Sequence, residues 1–271
     1  MPVEGATRAP IIEMLLAIDI GNTNIVLGLF EKEELMASWR ITTHLDKTVD
    51  EYAMLILDLF RSRGTMAQEV RAIICSNVVP PLTPIFAEIG KKYFGIDPLL
   101  VNDGMEIGLK ICYDNPQEIG ADRLVNAAAG YEIYGGPLII VDFGTATTFC
   151  AISGKGEYLG GVISPGMIIS AEALFTRTAK LPKIELIRPK TIIGKDTVRS
   201  MQSGILIGFA CLVDGLISRI KGEMGGDPLV IATGGQATII APESKMIREV
   251  RPYLTLEGLR IIYEKNRHMA V

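Results

Sequence analysis

Histidine, paired cysteine, excess positive charge and long apolar runs are all scarce in this chain of 271 residues, and each scarcity removes a class of function. Two histidines, His44 and His268, give a His-centred mechanism little to work with, and no Ser stands in a GxSxG turn. Cys75, Cys112, Cys150 and Cys211 form no CxxC pair and sit in apolar segments. That pattern argues against structural zinc and suits reduced core thiols in a cytosolic protein. Lys and Arg number 27 against 31 Asp and Glu, for a net charge of −4, with no basic cluster. A general nucleic-acid binder needs such a cluster to neutralise phosphates, so no nucleic-acid partner is expected. The stretches Leu15 to Phe30 and Ser203 to Ile217 are each interrupted by Asp and fall short of the ~18 uninterrupted apolar residues of a membrane helix, so a soluble, cytoplasmic protein with no membrane partner is expected. Residues 1–13 lack the apolar centre of a signal peptide and read as an extension, with Met14 an alternative start. No GxxxxGK[ST] occurs, no GxGxxG follows the first strand, and the protein-kinase signatures are missing.

What is present is a globular balance, 48% hydrophobic and 21% charged, in a length that suits roughly two domains. Short strands are predicted at 15–20, 24–30 and 35–41, forming a meander. A helix follows, opened by the capping box Thr48 and Glu51 and stopped at Gly64. A strand (71–78), a helix (82–94), a short strand (99–101) and a helix (121–134) complete the first half. The second half repeats the opening: LIIVDFGTATTFCAI lies over LLAIDIGNTNIVLGL at a constant offset of 123 residues, 142 − 19. Strands at 138–142, 146–152 and 158–163, helices near 167–176 and 196–221, and a strand at 229–232 are predicted. Using one strand-turn-strand twice, with Asp at the end of its first strand, implies two related lobes, 14–136 and 137–271.

The first turn, Asp19-Ile20-Gly21-Asn22-Thr23-Asn24, can cradle phosphates, since Gly21 lets backbone approach a ligand and Asn22 and Thr23 add donors. An ordinary β-hairpin uses the same residues. The second, Asp142-Phe143-Gly144-Thr145-Ala146-Thr147, brings another carboxylate, and two facing carboxylates repel unless a cation or proton lies between them. Asp19 suits magnesium held through water. In the segment Gly120-Ala121-Asp122-Arg123, Asp122 either complements the helix start or accepts a proton, and Arg123 beside it suits an anionic substrate. Thr233-Gly234-Gly235 after LVIA permits a base or ribose against the backbone, or is a plain strand-to-helix turn.

Taken together, DIGNTN, GADR, DFGTAT, the Ser164 to Gly166 turn, the Leu181-Pro182 pair and TGG resemble type III pantothenate kinase from Met14 to near the C-terminus. The resemblance implies the actin, sugar-kinase and Hsp70 ATPase superfamily: an α/β fold of duplicated ribonuclease-H-like domains, each a mixed sheet opening with a three-strand meander and flanked by helices. It implies ATP-dependent phosphorylation of pantothenate to 4′-phosphopantothenate, the first step of coenzyme A synthesis. By the same resemblance ATP phosphates lie along Asp19, Ile20, Gly21, Asn22, Thr23, Asn24, Ile25 and Val26, with Thr145. Asp122 is the proton acceptor, Asp142 holds a monovalent cation (potassium or ammonium), and Mg2+ comes with ATP. Tyr113, Gly120, Ala121, Asp122, Arg123 and Thr197 contact pantothenate, with Arg123 facing its carboxylate or a phosphate, and the chain forms a homodimer that completes the pantothenate site.

Overall fold

The computed structural model describes residues 14–102 and 104–269; the extension 1–13 lies outside the described residues. Two compact units result, one reaching Met105 and including the chain from Leu259, the other Glu106–Gly258.

In the first unit β1 (Met14–Ile20), β2 (Asn24–Glu31) and β3 (Glu34–Thr42) form the expected antiparallel meander. β4 (Val70–Asn77) then runs parallel to β1, and β5 (Leu99–Leu100) parallel to β4, giving the order β3-β2-β1-β4-β5. A central strand is covered on both faces, which is why MLLAI is a continuous apolar run rather than an alternating one. Helix α1 (Val49–Ser62) starts at the Thr48/Glu51 capping box, both halves of which are formed. Its Tyr52, Ile56 and Phe60 join Leu16, Ile18, Leu27 and Phe86 in the core. The helix predicted over 82–94 is instead α2 (Thr83–Ile89) followed by a π-type turn, Gly90–Phe94. A side chain at Gly90 would strike Pro98 and the Ile96 carbonyl, so the chain passes too close here for any other residue.

The second unit holds β6 (Lys110–Ile111), α3 (Ala121–Tyr134), β7 (Leu138–Phe143), β8 (Ala146–Ile152), β9 (Glu157–Pro165), α4 (Met167–Arg177), α5 (Thr197–Met224), β10 (Leu229–Thr233), α6 (Ala237–Ile240) and β11 (Glu249–Val250). Helix α7 (Leu254–Asn266) begins here, its residues from Leu259 belonging to the first unit. The sheet order is β11-β10-β7-β8-β9-β6. Without β6 it repeats the first sheet strand for strand, with the same two antiparallel and two parallel pairings. The duplication read from sequence is thus a duplication of topology. The unit boundary, however, falls after Met105 rather than near 136, because β6 pairs with β9 and α3 packs on β7 and β8.

By length and composition α5 is apolar enough to cross a membrane, a property its interrupting Asp214 hid from the run-length criterion. In the fold its Ile205, Phe209, Val213 and Ile217 fill the second core against Val141, Phe149 and Val230. Two of the four cysteines do not meet the expectation of core thiols. Cys75 and Cys150 are buried, whereas Cys112 and Cys211 are exposed, the first just past edge strand β6 and the second on the outer face of α5.

Candidate active site

In the first unit the Asp19 carboxylate stands one residue before the end of β1, level with Val26 on β2 and Ser76 on β4. The following turn is closed by the Gly21 amide, which donates to the Asn24 carbonyl at 3.0 Å, and a side chain on Gly21 would crowd that same oxygen. Thr43, just past β3, locks it further: its hydroxyl donates to the Gly21 carbonyl at 2.7 Å and its amide to the Thr23 carbonyl at 3.1 Å. Asn22 and Thr23 are left exposed at the tip. Ile20 and Ile25 are fully buried, so a ligand over this turn meets their backbone, not their side chains.

The second unit contains the equivalent turn, one residue tighter, with the Gly144 amide donating to the Ala146 carbonyl at 3.1 Å. Its surroundings are different. The Gly166 amide of the Ser164 to Gly166 turn donates to the Thr145 carbonyl at 3.1 Å, and Gln236, with its amide nitrogen turned inward, donates to the Phe143 and Gly144 carbonyls. Gly234 sits at φ +92, where a side chain would strike both the Phe143 backbone and Asp142 Oδ1. The TGG sequence is therefore explained by contact with Asp142, a use the sequence reading did not foresee.

Asp142 gathers the remaining polar groups. Asn126 Nδ2 donates to Asp142 Oδ2 at 2.8 Å, and the Thr255 hydroxyl donates to Asn126 Oδ1 at 2.8 Å. Burial, then the neighbouring Asp122 charge, push the Asp142 carboxyl up to about 7, against the lowering effect of Asn126. Asp122 is also raised, by burial first, with the Arg123 amide and charge pulling the other way. It lies in the first turn of α3, where its Oδ1 accepts from the Arg123 amide at 2.8 Å. The helix-start use and the proton-accepting use are thus both open to one side chain.

Arg123 is 5% exposed, its guanidinium 5.8 Å from the centre of the Tyr158 ring, which in turn lies 6.2 Å from Tyr113. Its Nε and Nη2 are buried and make no hydrogen bond among the described residues. A buried cation with open donors is costly, and an anionic ligand would satisfy it. The space comes from small residues: Gly161 on β9 approaches Arg123 Nη2, and a side chain there would collide with the Phe149 carbonyl. Helix α3 itself is buried from Arg123 to Gly130, so its LVNAAAG run carries no polar stripe, and Gly130 lies against Ile140 and Leu138 of β7.

Tyr113, Asp122, Arg123 and Asp142 are thus brought together. Thr197 is not part of that group. It is the first residue of α5, capped by Asp196, whose carboxylate accepts from the Arg199 amide at 2.8 Å, and it lines an open cavity of about 770 Å³ with Leu174, Lys195, Ser200 and Met201. Sequence reasoning missed Asn126 and Thr255. Asn126 falls one helical turn after Asp122, on the same face, and a lone buried amide in an otherwise apolar run was its available signal.

The family model for type III pantothenate kinase matches residues 15–219. A type III pantothenate kinase from Geobacter sulfurreducens is 56% identical over 254 residues, 94% of this chain and all of that protein. One from Syntrophus aciditrophicus is 54% identical over 253 residues, 93% of this chain and all of that protein. Among solved structures, component A of the Acidaminococcus fermentans (R)-2-hydroxyglutaryl-CoA dehydratase is 12% identical, with a TM-score of 0.57 over 95% of this chain and 99% of that one. At that identity the likeness is one of fold, the actin-like ATPase fold.

Proposed function

The chain belongs to the type III pantothenate kinase family, enzymes that phosphorylate pantothenate with ATP in coenzyme A biosynthesis, and from that premise we propose that Asp122 is the general base of the transfer. The observation that carries this reading is the grouping of Asp122 with Asp142 and a buried Arg123 that has open donors. In-line attack on the γ-phosphorus requires the primary hydroxyl of pantothenate to lose its proton. Asp122 accepts it, and a carboxyl raised by burial holds a proton better than an exposed one. Arg123 pairs with the pantothenate carboxylate, while Tyr113, Gly120 and Ala121 border the same substrate.

The turn from Asp19 to Val26, with Thr145 from the second turn, receives the ATP phosphates, and Asp19 would hold their magnesium through water. No group of three His, Cys, Asp or Glu able to hold a metal occurs among the described residues, which suits an ion carried mainly by the phosphates. Asp142 holds the monovalent cation, potassium or ammonium. The fit is one of charge and donor type: the Asp122 and Asp142 carboxylates repel one another and so need positive charge, and both offer hard oxygen atoms. When bound there, that cation would supply positive charge to offset the negative charge of the transferring phosphoryl group.

Thr197 lines a cavity separate from the Asp122 group, so its contact with pantothenate comes from the other copy of a homodimer. Ile163 on β9, Phe175 on α4, Ile193 in the loop before α5 and Val198 in its first turn are all exposed and supply apolar surface for that pairing. The enzyme works in the cytoplasm.

Asp122→Asn should lower turnover by about 10²- to 10⁴-fold. Asn keeps an oxygen for the Arg123 amide, so its melting temperature should stay near that of the parent, and near-normal turnover would refute the assignment. Activity in sodium equal to that in potassium or ammonium, at matched ionic strength, would refute the cation. A light-scattering mass of one 29.4 kDa chain with full activity would refute the dimer.

A further inference from the structure

The polar chain Thr255–Asn126–Asp142 joins the site to a hydroxyl on α7 that no substrate-facing role accounts for. Asn126 is 1% exposed, and both ends of its amide are engaged: Oδ1 accepts from Thr255 and Nδ2 donates to Asp142 Oδ2, each at 2.8 Å. An amide offers its oxygen on one side and its NH2 on the other, so a hydroxyl donating to the oxygen obliges the NH2 to face Asp142. The second carboxylate oxygen, Oδ1, is bounded by Gly234, whose φ of +92 and missing side chain leave it just enough room. Asp142 is therefore held by a hydrogen bond at Oδ2 and walled by the Gly234 backbone at Oδ1.

We propose that Asn126, oriented by Thr255, is a positioning residue for the phosphoryl transfer, fixing the direction in which the Asp142 carboxylate faces. The inference rests on the reading of Asp142 as the cation ligand. Asp122 and Asn126 lie one turn apart on the same face of α3, so a single helix carries the proton acceptor and the group that aims its neighbouring carboxylate. Asp122 reacts; Asn126 orients.

The test uses the intact enzyme and three variants: Asn126→Ala, Thr255→Val, which keeps the side-chain shape but lacks the hydroxyl, and Thr255→Ser, which restores it. Three quantities are measured: half-saturating potassium in steady-state kinetics, the pantothenate KM, and the rise in melting temperature on replacing choline chloride by potassium chloride without nucleotide. A lost hydrogen bond to a charged group corresponds to roughly tenfold or more in an equilibrium. Asn126→Ala, which removes the bond to the Asp142 carboxylate, should thus raise half-saturating potassium about tenfold, and Thr255→Val, which removes a bond between neutral groups, by about two- to tenfold; both should reduce the potassium-induced stabilisation, with the pantothenate KM within about twofold. Thr255→Ser should behave as the parent. If Asn126→Ala does not fold, the Thr255 pair decides. Equal potassium responses in Thr255→Val and Thr255→Ser overturn the proposal. Should the parent enzyme respond equally to potassium and sodium, the cation reading fails, and kcat then decides positioning alone: a loss of about two- to tenfold in Thr255→Val restored in Thr255→Ser supports it, and equal turnover overturns it.

Discussion

Replacing Gly234 by Ala adds one methyl group at the point where the second turn is most tightly enclosed. Two costs follow from the structure. A φ of +92 is unfavourable for an L-residue by about 1–2 kcal/mol, and the new Cβ is driven into Asp142 Oδ1 and the Phe143 backbone. Backbone cannot swing away as a flexible side chain can, so the second cost belongs with overpacking, about 1–3 kcal/mol. Their sum, about 2–5 kcal/mol, converts at ~2–4 °C per kcal/mol to a fall in melting temperature of roughly 4–20 °C. Gly215→Ala on α5 is the control, because a Cβ there meets nothing within 4 Å and its φ is not in the positive range. The same chemical change in a helix interior should stabilise by about 0.5–1 kcal/mol. Scanning calorimetry of both variants beside the parent reads the two signs directly. A melting temperature for Gly234→Ala within about 2 °C of the parent would refute the packing argument.

Three further outcomes are expected. Because the folded-state Asp142 carboxyl is raised to about 7 while an unfolded Asp titrates near ~3.9, the folded state binds more protons between those values, so in potassium-free buffer stability should fall as pH rises through that window. Denaturant melts of the parent and of Asp142→Asn check this, and the same pH slope in both would exclude Asp142 as its source. Arg123→Met should leave the melting temperature equal or higher, since a buried guanidinium with two unsatisfied nitrogens gives way to an apolar chain, while the pantothenate KM rises at least tenfold; a KM within twofold of the parent would remove Arg123 from the substrate site. Ile193→Glu, at an exposed isoleucine before α5, should shift the light-scattering mass toward 29.4 kDa, and an unchanged dimer would place the interface elsewhere.

Legibility in the sequence followed the range of the interactions. The meander strands, the Thr48/Glu51 start of α1 and both ends of α3 depend on residues within a few positions of one another, and each was predicted close to where it lies. Strands β6 and β11 are two residues each, too short to show a period. Helix α7 was missed for a related reason: Gly258 interrupts its sequence pattern, and the Val125 carbonyl packed against that glycine lies on another helix. The exposed Cys112 and Cys211 had apolar neighbours in sequence but not in space. In the site, Asn126 and Thr255 are 129 residues apart, and no local pattern announces their hydrogen bond.

The repeated Asp-Gly turn separates what duplication preserves from what each copy has acquired. Both copies keep an Asp near the end of a central strand, a Gly amide closing the turn, and the same five-strand order. These are backbone properties, carried by DIGNTN and DFGTAT, and they are the properties a sequence repeat can transmit. The copies differ in what braces the turn. Thr43, from the neighbouring strand end, holds the first and leaves Asn22 and Thr23 exposed, an arrangement open to a large polyanion. Gly166, the Gly234 to Gln236 turn and Asn126, from three separate segments, surround the second and its carboxylate, an arrangement that fits the small cation proposed for it. On the proposed reading, one repeated turn serves two ligands because its backbone is fixed locally while its ligand is selected by residues that reach it through the fold.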